Sequence, residues 1–179
     1  QLNNFQDSLA FTDLRDLKSL NIHRNYQFKS IAGTVWDREI KSIAGLEHAV
    51  NITRLTIDGV NQITDLSPLS GLDKLEFLHV RNDFVSDLSF LAKLTKLTIL
   101  WIECAQVTDL KPLENFPELQ RLFINNTSVS DLSPLSPLNK LEWIRLHNTK
   151  VDDLSPLKPL TSLKQLLLEQ PFGSETQAM

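Results

Sequence analysis

The chain has 179 residues, of which 41% are hydrophobic and 22% are charged, and its net charge is −4. These values fit one ordinary globular domain and give no sign of disorder. The 18 basic and 22 acidic residues are mixed along the sequence. They therefore form neither a basic stripe for nucleic acid nor a polybasic segment for an anionic membrane. No apolar run reaches the roughly 20 residues that a membrane-spanning helix needs.

The N-terminal segment, residues 1–16, has a weak form of the pattern that fills the rest of the chain. Phe5, Phe11, Leu14 and Leu17 sit at intervals like those of the later leucines. Because the open end of a stack of repeats exposes core leucines, a terminal unit has to cover them. We therefore predict a degenerate cap over residues 1–16 and a first strand that starts at Leu17. The chain begins with glutamine rather than methionine, so we expect a processed or excised piece.

A longer interval separates the first strand from the second. The step from Leu17 to Ile52 is 35 residues and the step from Ile52 to Leu75 is 23, so about 12 residues are extra. The extra piece lies near residues 28–39, and its first six residues, FKSIAG, are nearly repeated as IKSIAG at residues 40–45. We predict a duplicated loop in which Trp36 covers the core, and the alternative is a binding loop at the rim.

From Leu75 onward the chain repeats every 22 residues without a slip. The unit reads L-x-x-L-x-L-x-x-T-x-V-x-D-L-x-P-L-x-x-L-x-x and is cleanest in residues 141–162. Several columns that hold register over four or five copies identify a repeat protein. Seven coils are predicted from the first core position of each, which are Leu17, Ile52, Leu75, Leu97, Leu119, Leu141 and Leu163.

Each unit has two parts with different periods. The segment L-x-x-L-x-L ends in the alternation of a strand with one buried face. The return segment has an apolar residue at every third position, and prolines at 68, 112, 134 and 156 oppose a long helix there. One unit cannot bury its own leucines, but stacked units can. We predict an α/β-type repeat solenoid over residues 17–169, with a curved parallel sheet on the concave face, 3₁₀ or extended convex turns, and a tail over 170–179.

These units resemble the bacterial leucine-rich repeats of the internalin-like kind, which carry a D-I/L-S-P-L signature. The resemblance is strong over about residues 40–169 and weak over 5–39. The buried asparagine of such repeats is replaced, in this register, by Asp83, Ala105, Thr127 and Thr149. The two threonines can still hydrogen-bond a neighbouring backbone, whereas Ala105 cannot. The resemblance implies export to the cell surface or beyond, and a cytoplasmic location is the alternative.

The motifs of common catalytic sites are missing from the sequence. It has no phosphate-cradling glycine loop, no G-x-S-x-G elbow and no H-E-x-x-H helix. His79 and His147 fall on strands three coils apart, roughly 14 Å by strand spacing, so they cannot share a metal. The single cysteine, Cys104, excludes an internal disulfide and argues against a cysteine-based zinc site. We predict no enzymatic activity, no cofactor and no metal site.

An acidic column recurs just before each proline-containing turn. Because aspartate accepts hydrogen bonds from the backbone N–H groups that follow it, these carboxylates are predicted to cap the turns. A ladder of calcium sites is the alternative. The column consists of Asp65, Asp87, Asp109, Asp131 and Asp153.

The concave face of the predicted sheet is unusually aromatic. In each repeat unit, counted from its first leucine, the third, fifth and seventh positions point away from the leucine core. Several of these positions hold aromatic residues or arginine. Such residues are enriched at the hot spots of protein interfaces, and contiguous aromatic patches are rarely left exposed without a use. The alternatives are cross-strand stacking that only stabilises the sheet, or burial in a dimer. The predicted partner-binding residues are Phe77, His79, Arg81, Ile99, Trp101, Glu103, Arg121, Phe123, Trp143 and Arg145.

The sequence thus predicts a non-catalytic module that recognises a partner protein on this face. A carbohydrate or cell-wall ligand is a second hypothesis, because tryptophans stack on sugars and Asn125, Asn126 and Glu103 flank the patch. A regulatory repeat domain of a larger signalling protein is a third. It follows from the short tail, in which Pro171 and Gly173 end the last strand and only Phe172 is available to fold back over it.

Overall fold

The computed structural model describes residues 14–23, 28–29, 35–36 and 41–169. In these ranges the strands are β1 (Ser19–His23), β2 (Phe28–Lys29), β3 (Val35–Trp36), β4 (Arg54–Asp58), β5 (Phe77–Arg81), β6 (Ile99–Glu103), β7 (Arg121–Asn125), β8 (Trp143–His147) and β9 (Gln165–Glu169). They form one parallel sheet of seven strands in the order β1-β4-β5-β6-β7-β8-β9, and a two-stranded sheet of β2 and β3. The seven predicted strands are confirmed.

Short 3₁₀ helices return the chain from one strand to the next. Proline stands in the first turn of four of them, where its missing N–H costs no intrahelical bond. The prediction of tight turns instead of long helices is therefore confirmed. The 3₁₀ helices span Leu46–His48, Ser67–Gly71, Ser89–Lys93, Lys111–Leu113, Ser133–Leu135 and Ser155–Leu157.

The 22-residue period sets the register of the sheet, so equivalent residues of successive units lie side by side. Leu78 pairs with Leu100, and Leu100 with Leu122. The first leucines of the inner units, Leu75, Leu97, Leu119 and Leu141, are fully buried, whereas Leu17 and Leu163 of the end units are partly buried. A continuous leucine core thus runs under the sheet, as one unit alone could not provide.

The extra residues after β1 contain the short antiparallel pair β2 and β3, in which Phe28 is opposite Trp36. The predicted loop therefore includes a small hairpin. The side chain of Trp36, the predicted cap up to residue 13 and the tail from residue 170 lie outside the described structure, so the domain boundaries stay predictions.

The aspartate column caps the turns, as predicted. The Asp87 carboxylate accepts the backbone N–H of Ser89 at 2.8 Å and the Ser89 hydroxyl at 2.7 Å. The other four carboxylates accept the equivalent backbone N–H at 2.7 to 2.9 Å. Each aspartate stands two residues before its donor, one residue earlier than a formal helix cap, so the motif is an Asx turn.

The prediction for the buried asparagine position is wrong by one residue in two units. Asn82, one residue before Asp83, is completely buried. Its amide nitrogen donates to the carbonyls of Val60 (3.0 Å) and Ile63 (2.8 Å). Its side-chain oxygen accepts the N–H groups of Phe84 and Val85 at 2.8 and 3.2 Å. In the next unit Cys104, not Ala105, takes the buried place.

The later units turn differently, which explains the change of register. Asn126 and Asn148 adopt left-handed backbone angles, with φ of 51° and 50°, so the following Thr127 and Thr149 point inward. The predicted hydrogen bonds of these threonines are not formed, because among the described residues neither buried hydroxyl has a partner. The turns after β5 and β6 therefore differ from those after β7 and β8, although these four units have the same length.

Candidate binding surface

The strands place three rows of side chains on the face opposite the core. We name them the first, second and third row, after the first, third and fifth residue of each strand. In β5 these positions are more exposed than the buried Leu78 and Val80 between them, as an alternating strand requires. The predicted residues divide into the first row (Phe77, Ile99, Arg121 and Trp143), the second row (His79, Trp101, Phe123 and Arg145) and the third row (Arg81 and Glu103).

The second row contains a continuous stack of three rings. The centroids of His79 and Trp101 are 4.8 Å apart with planes tilted by 31°. Trp101 and Phe123 follow at 5.2 Å and 36°. These separations lie within the range that aromatic pairs prefer. Parallel pairing of His79 with Trp101 and of Trp101 with Phe123 brings the rings together.

The first row combines rings with arginines. The guanidinium of Arg54 lies 4.3 Å from the ring centroid of Phe77, and that of Arg121 lies 5.0 Å from the ring centroid of Trp143. Both are cation–π contacts. Trp143, with 36% exposure, is therefore next to Arg121 and outside the stack of the second row. The aromatic patch consists of two parallel groups instead of one cluster.

The third row is dominated by charged and hydrogen-bonding groups. Asp58 forms an ion pair with Arg81 and a hydrogen bond with Nδ1 of His23. Glu169 forms an ion pair with Arg145 of the second row and lies 3.2 Å from Nδ1 of His147. Two of the predicted arginines are thus already engaged within the sheet.

Glu103 differs from the other two carboxylates of this row. It accepts the indole N–H of Trp101 at 2.7 Å and the amide of Asn125 at 3.3 Å. Both donors are neutral, and within the described residues no cation pairs with Glu103. The bond to Trp101 also fixes the orientation of the central indole.

His79 lies at the end of the stack, and its surroundings favour the neutral imidazole. Burial lowers the pKa of His79, while the carboxylates of Glu103 and Asp58 act in the opposite direction. Its Nε2 atom is buried and has no hydrogen-bond partner among the described residues.

The predicted partner-binding residues leave out two exposed side chains. Arg54 is exposed beside Phe77 and extends the first row, and its position in register with Phe77 could have revealed it. Phe84, with 56% exposure, stands in the turn after β5, where the other units have Gln106, Ser128 and Lys150. A phenylalanine in a column of polar residues was the available signal.

Within the described parts of the chain, no group of three or more His, Cys, Asp or Glu residues could hold a metal ion. Burial raises the pKa of the Cys104 thiol to about 12, so this thiol stays protonated and a poor nucleophile at neutral pH. No helix among the described residues is long and apolar enough to cross a membrane.

The open parallel sheet, the 3₁₀ turns and the 22-residue register together define a leucine-rich repeat solenoid. Internalin C2 of Listeria monocytogenes is similar, with 33% identity, a TM-score of 0.67 and coverage of 72% of this chain and 57% of its own. Internalin F of the same organism has 31% identity and a TM-score of 0.74, with coverage of 90% and 45%. A leucine-rich repeat protein of Leptospira interrogans shares the fold at 19% identity and a TM-score of 0.71, with coverage of 92% and 40%.

No protein-family model and no curated protein matches the chain. The chain spans about half the length of the two internalins. It is a leucine-rich repeat protein whose repeats are of the bacterial, internalin-like type.

Proposed function

We propose that this chain is a non-catalytic module that recognises a partner protein on its concave face. The observation that carries the proposal is the stack of His79, Trp101 and Phe123, three rings in contact across three adjacent strands. All three are only partly buried and lie opposite the leucine core. Desolvation of such a surface by a partner is favourable, and tryptophan and arginine are the usual anchors of protein interfaces.

Stacking that only stabilises the sheet accounts for the contacts between the rings, but not for the exposed arginines beside them. Arg54 and Arg121, both exposed, stand over the rings of the first row. A sheet face without a function is expected to be polar. The shape of the repeat scaffold and the mixture of rings and arginines both favour a protein partner.

The same arrangement favours binding over catalysis. His79 and His147 lie on β5 and β8, with two strands between them, so they form no acid–base pair. His147 is 3.2 Å from Glu169 of the adjacent β9, and His23 is 3.1 Å from Asp58 of the adjacent β4. These pairs orient and link neighbouring strands.

We also propose an exported location, at the cell surface or secreted. The similarity to two internalins supports it. Because the chain covers only about half of each internalin, the activity of any longer protein is a separate proposal. A regulatory repeat domain of a larger signalling protein is the alternative function. Fractionation of the source cells, with an antibody against this chain, tests the location. Signal in the cytoplasmic fraction alone would contradict export.

A comparison of four baits tests the proposed binding. Extracts are passed over the immobilised wild-type chain and over the Trp101→Ala, Trp143→Ala and Lys158→Ala variants. Proteins retained by wild type and by Lys158→Ala, but lost with Trp101→Ala, are the expected partners. Lys158 is exposed on the convex turns and serves as the matched control. A buried tryptophan anchor contributes about 2 kcal/mol or more, so titration of the identified partner should show at least about tenfold weaker binding by each tryptophan variant.

The opposite pattern would overturn the proposal. If Lys158→Ala lost the partner while Trp101→Ala and Trp143→Ala kept it, the convex side would be the interface. A glycan array probed with wild type and the same three variants distinguishes a carbohydrate ligand from a protein partner. Trp101-dependent binding to glycans, without any retained protein, would make the chain a carbohydrate-binding module.

A further inference from the structure

The concave face carries unpaired charges of opposite sign on its two sides. Arg54 and Arg121 of the first row form no ion pair among the described residues, and Glu103 of the third row has only neutral donors. The remaining charges of the face, on Asp58, Arg81, Arg145 and Glu169, are already paired. The free charges are therefore separated across the ring stack instead of being mixed with it.

The two arginines are held in a way that leaves their donors available. Each guanidinium lies over a ring, at 4.3 and 5.0 Å from the centroid. This contact restricts the side chain without occupying its fork of N–H donors, which suits a carboxylate in bidentate geometry. The cost of ordering a long side chain is then partly met before a partner arrives.

Glu103 is also held in place before binding. Its Oε1 atom accepts the indole N–H of Trp101 at 2.7 Å and the amide of Asn125 at 3.3 Å, and these two bonds restrict the carboxylate. A carboxylate has more acceptor positions than these two neutral donors use. A cation from a partner can therefore bind Glu103 without breaking the bond to the indole.

The fold sets the distance between the two kinds of charge. Arg121 is the first residue of β7, and Glu103 is the last residue of the adjacent β6. Four residues along a strand span about 13 Å. Trp101 and Phe123 of the second row lie between them.

We infer that the partner presents a carboxylate and a cation about 13 Å apart, with an apolar side chain between them. The carboxylate binds Arg54 or Arg121, the apolar group covers Trp101 and Phe123, and the cation binds Glu103. This inference rests on the proposed protein-binding function and adds the chemistry and direction of the partner segment. In an extended segment the three groups are two residues apart, since alternate side chains share one face. In a helix they are about four residues apart.

A displayed library of random 12-residue peptides tests this inference on the full chain. The library is selected against wild type, against Arg54→Glu/Arg121→Glu, and against Lys111→Glu/Lys158→Glu. The last variant is the control, since it makes the same change in net charge on the convex side. We expect wild type and the control to enrich peptides with an acidic and a basic residue on either side of an apolar one. The concave charge reversal should remove the acidic residue from the enriched set.

Synthetic peptides from the selection give the size of the effect. We expect about tenfold weaker binding by Arg54→Glu/Arg121→Glu and a fall in affinity as salt is raised, because the charges are partly solvent-exposed. Peptides that need Trp101 but show no charge pattern would overturn the inference and leave the proposed function standing. The same holds if selection against Arg54→Glu/Arg121→Glu enriches peptides with the same charge pattern as wild type. Peptides that bind Trp101→Ala as well as wild type would overturn both. Failure of any peptide to be enriched counts against the inference, since twelve residues are long enough to carry all three groups.

Discussion

The indole of Trp101 contacts the ring of Phe123 with centroids 5.2 Å apart, although the two residues are 22 positions apart in the chain. The contact exists because the repeat length equals one full coil, which places equivalent residues on adjacent strands. The same rule adds His79 on the other side of Trp101. A local feature of one unit thus becomes a surface only when units are stacked.

A double-mutant cycle on Trp101 and Phe123 should detect this contact in the free protein. We expect a coupling free energy of about 0.5–1.5 kcal/mol between Trp101→Ala and Phe123→Ala, the usual range for aromatic pairs. Urea unfolding of the four proteins measures it. Each single variant should remain folded, because both rings lie opposite the core. Additive effects would mean that the rings do not interact in solution.

Leu119→Ala should be strongly destabilising. Leu119 is fully buried in a central coil, and removal of such a side chain costs the transfer free energy plus that of the cavity, about 2–5 kcal/mol. Chemical denaturation followed by circular dichroism gives the value. Lys111→Ala, on an exposed side chain of the convex turns, is the control and should change the free energy of unfolding by less than about 0.5 kcal/mol. Equal effects of the two changes would contradict the leucine core.

Asn82 and Thr127 should respond in opposite directions to loss of their polar groups. Asn82→Ala leaves the carbonyls of Val60 and Ile63 without the donors they have now, and we expect a loss of at least about 2 kcal/mol. The hydroxyl of Thr127 is buried without a partner among the described residues. Thr127→Val should therefore stabilise the protein, by about 1 kcal/mol. Thermal denaturation compares the two variants, and a destabilising Thr127→Val would show that the hydroxyl is bonded.

Acid should weaken the turn that Asp87 caps. Hydrogen bonds from Ser89, first from its hydroxyl and then from its backbone N–H, lower the pKa of the Asp87 carboxyl. Burial acts in the opposite direction, but its effect is smaller. A lowered folded-state pKa contributes stability that is present above the unfolded-state value and is lost as pH falls through the folded-state value. The Ser89→Ala variant should return the pKa of Asp87 toward its ordinary value near 3.8. Carboxyl titration by NMR measures this change, and an unchanged pKa would contradict the hydrogen bond from the Ser89 hydroxyl to Asp87.

The last strand should be the least protected from hydrogen exchange. In β9 no residue is fully buried, and Leu167 and Leu168 are exposed, whereas β8 buries Ile144 and Leu146. Within the described sheet β9 pairs on one side only, with β8. Since such edges open at low free energy, we expect faster exchange in Gln165–Glu169 than in Trp143–His147. Equal protection in the two strands would show that β9 is covered on its second side.

The sequence by itself determined the strand positions, the proline-containing turns and the buried leucines. Each of these follows from a local rule: alternation on a strand, the missing N–H of proline, and the 22-residue spacing of Leu97, Leu119 and Leu141. The capping aspartates were predictable for the same reason, because an Asx turn needs only neighbouring residues. The membership of the concave face also followed from the alternation.

Only the tertiary structure decided which of these residues touch and which inward position each turn uses. Asn82 is buried but Asn126 and Asn148 are not, because a left-handed backbone at the latter two shifts the inward position by one residue. The pairing of Arg145 with Glu169, and the ring contacts that Trp101 makes with His79 and Phe123, depend on side-chain rotamers across strands. A repeat pattern specifies the strand on which a residue lies, whereas packing against the neighbouring coil selects its rotamer and its partner.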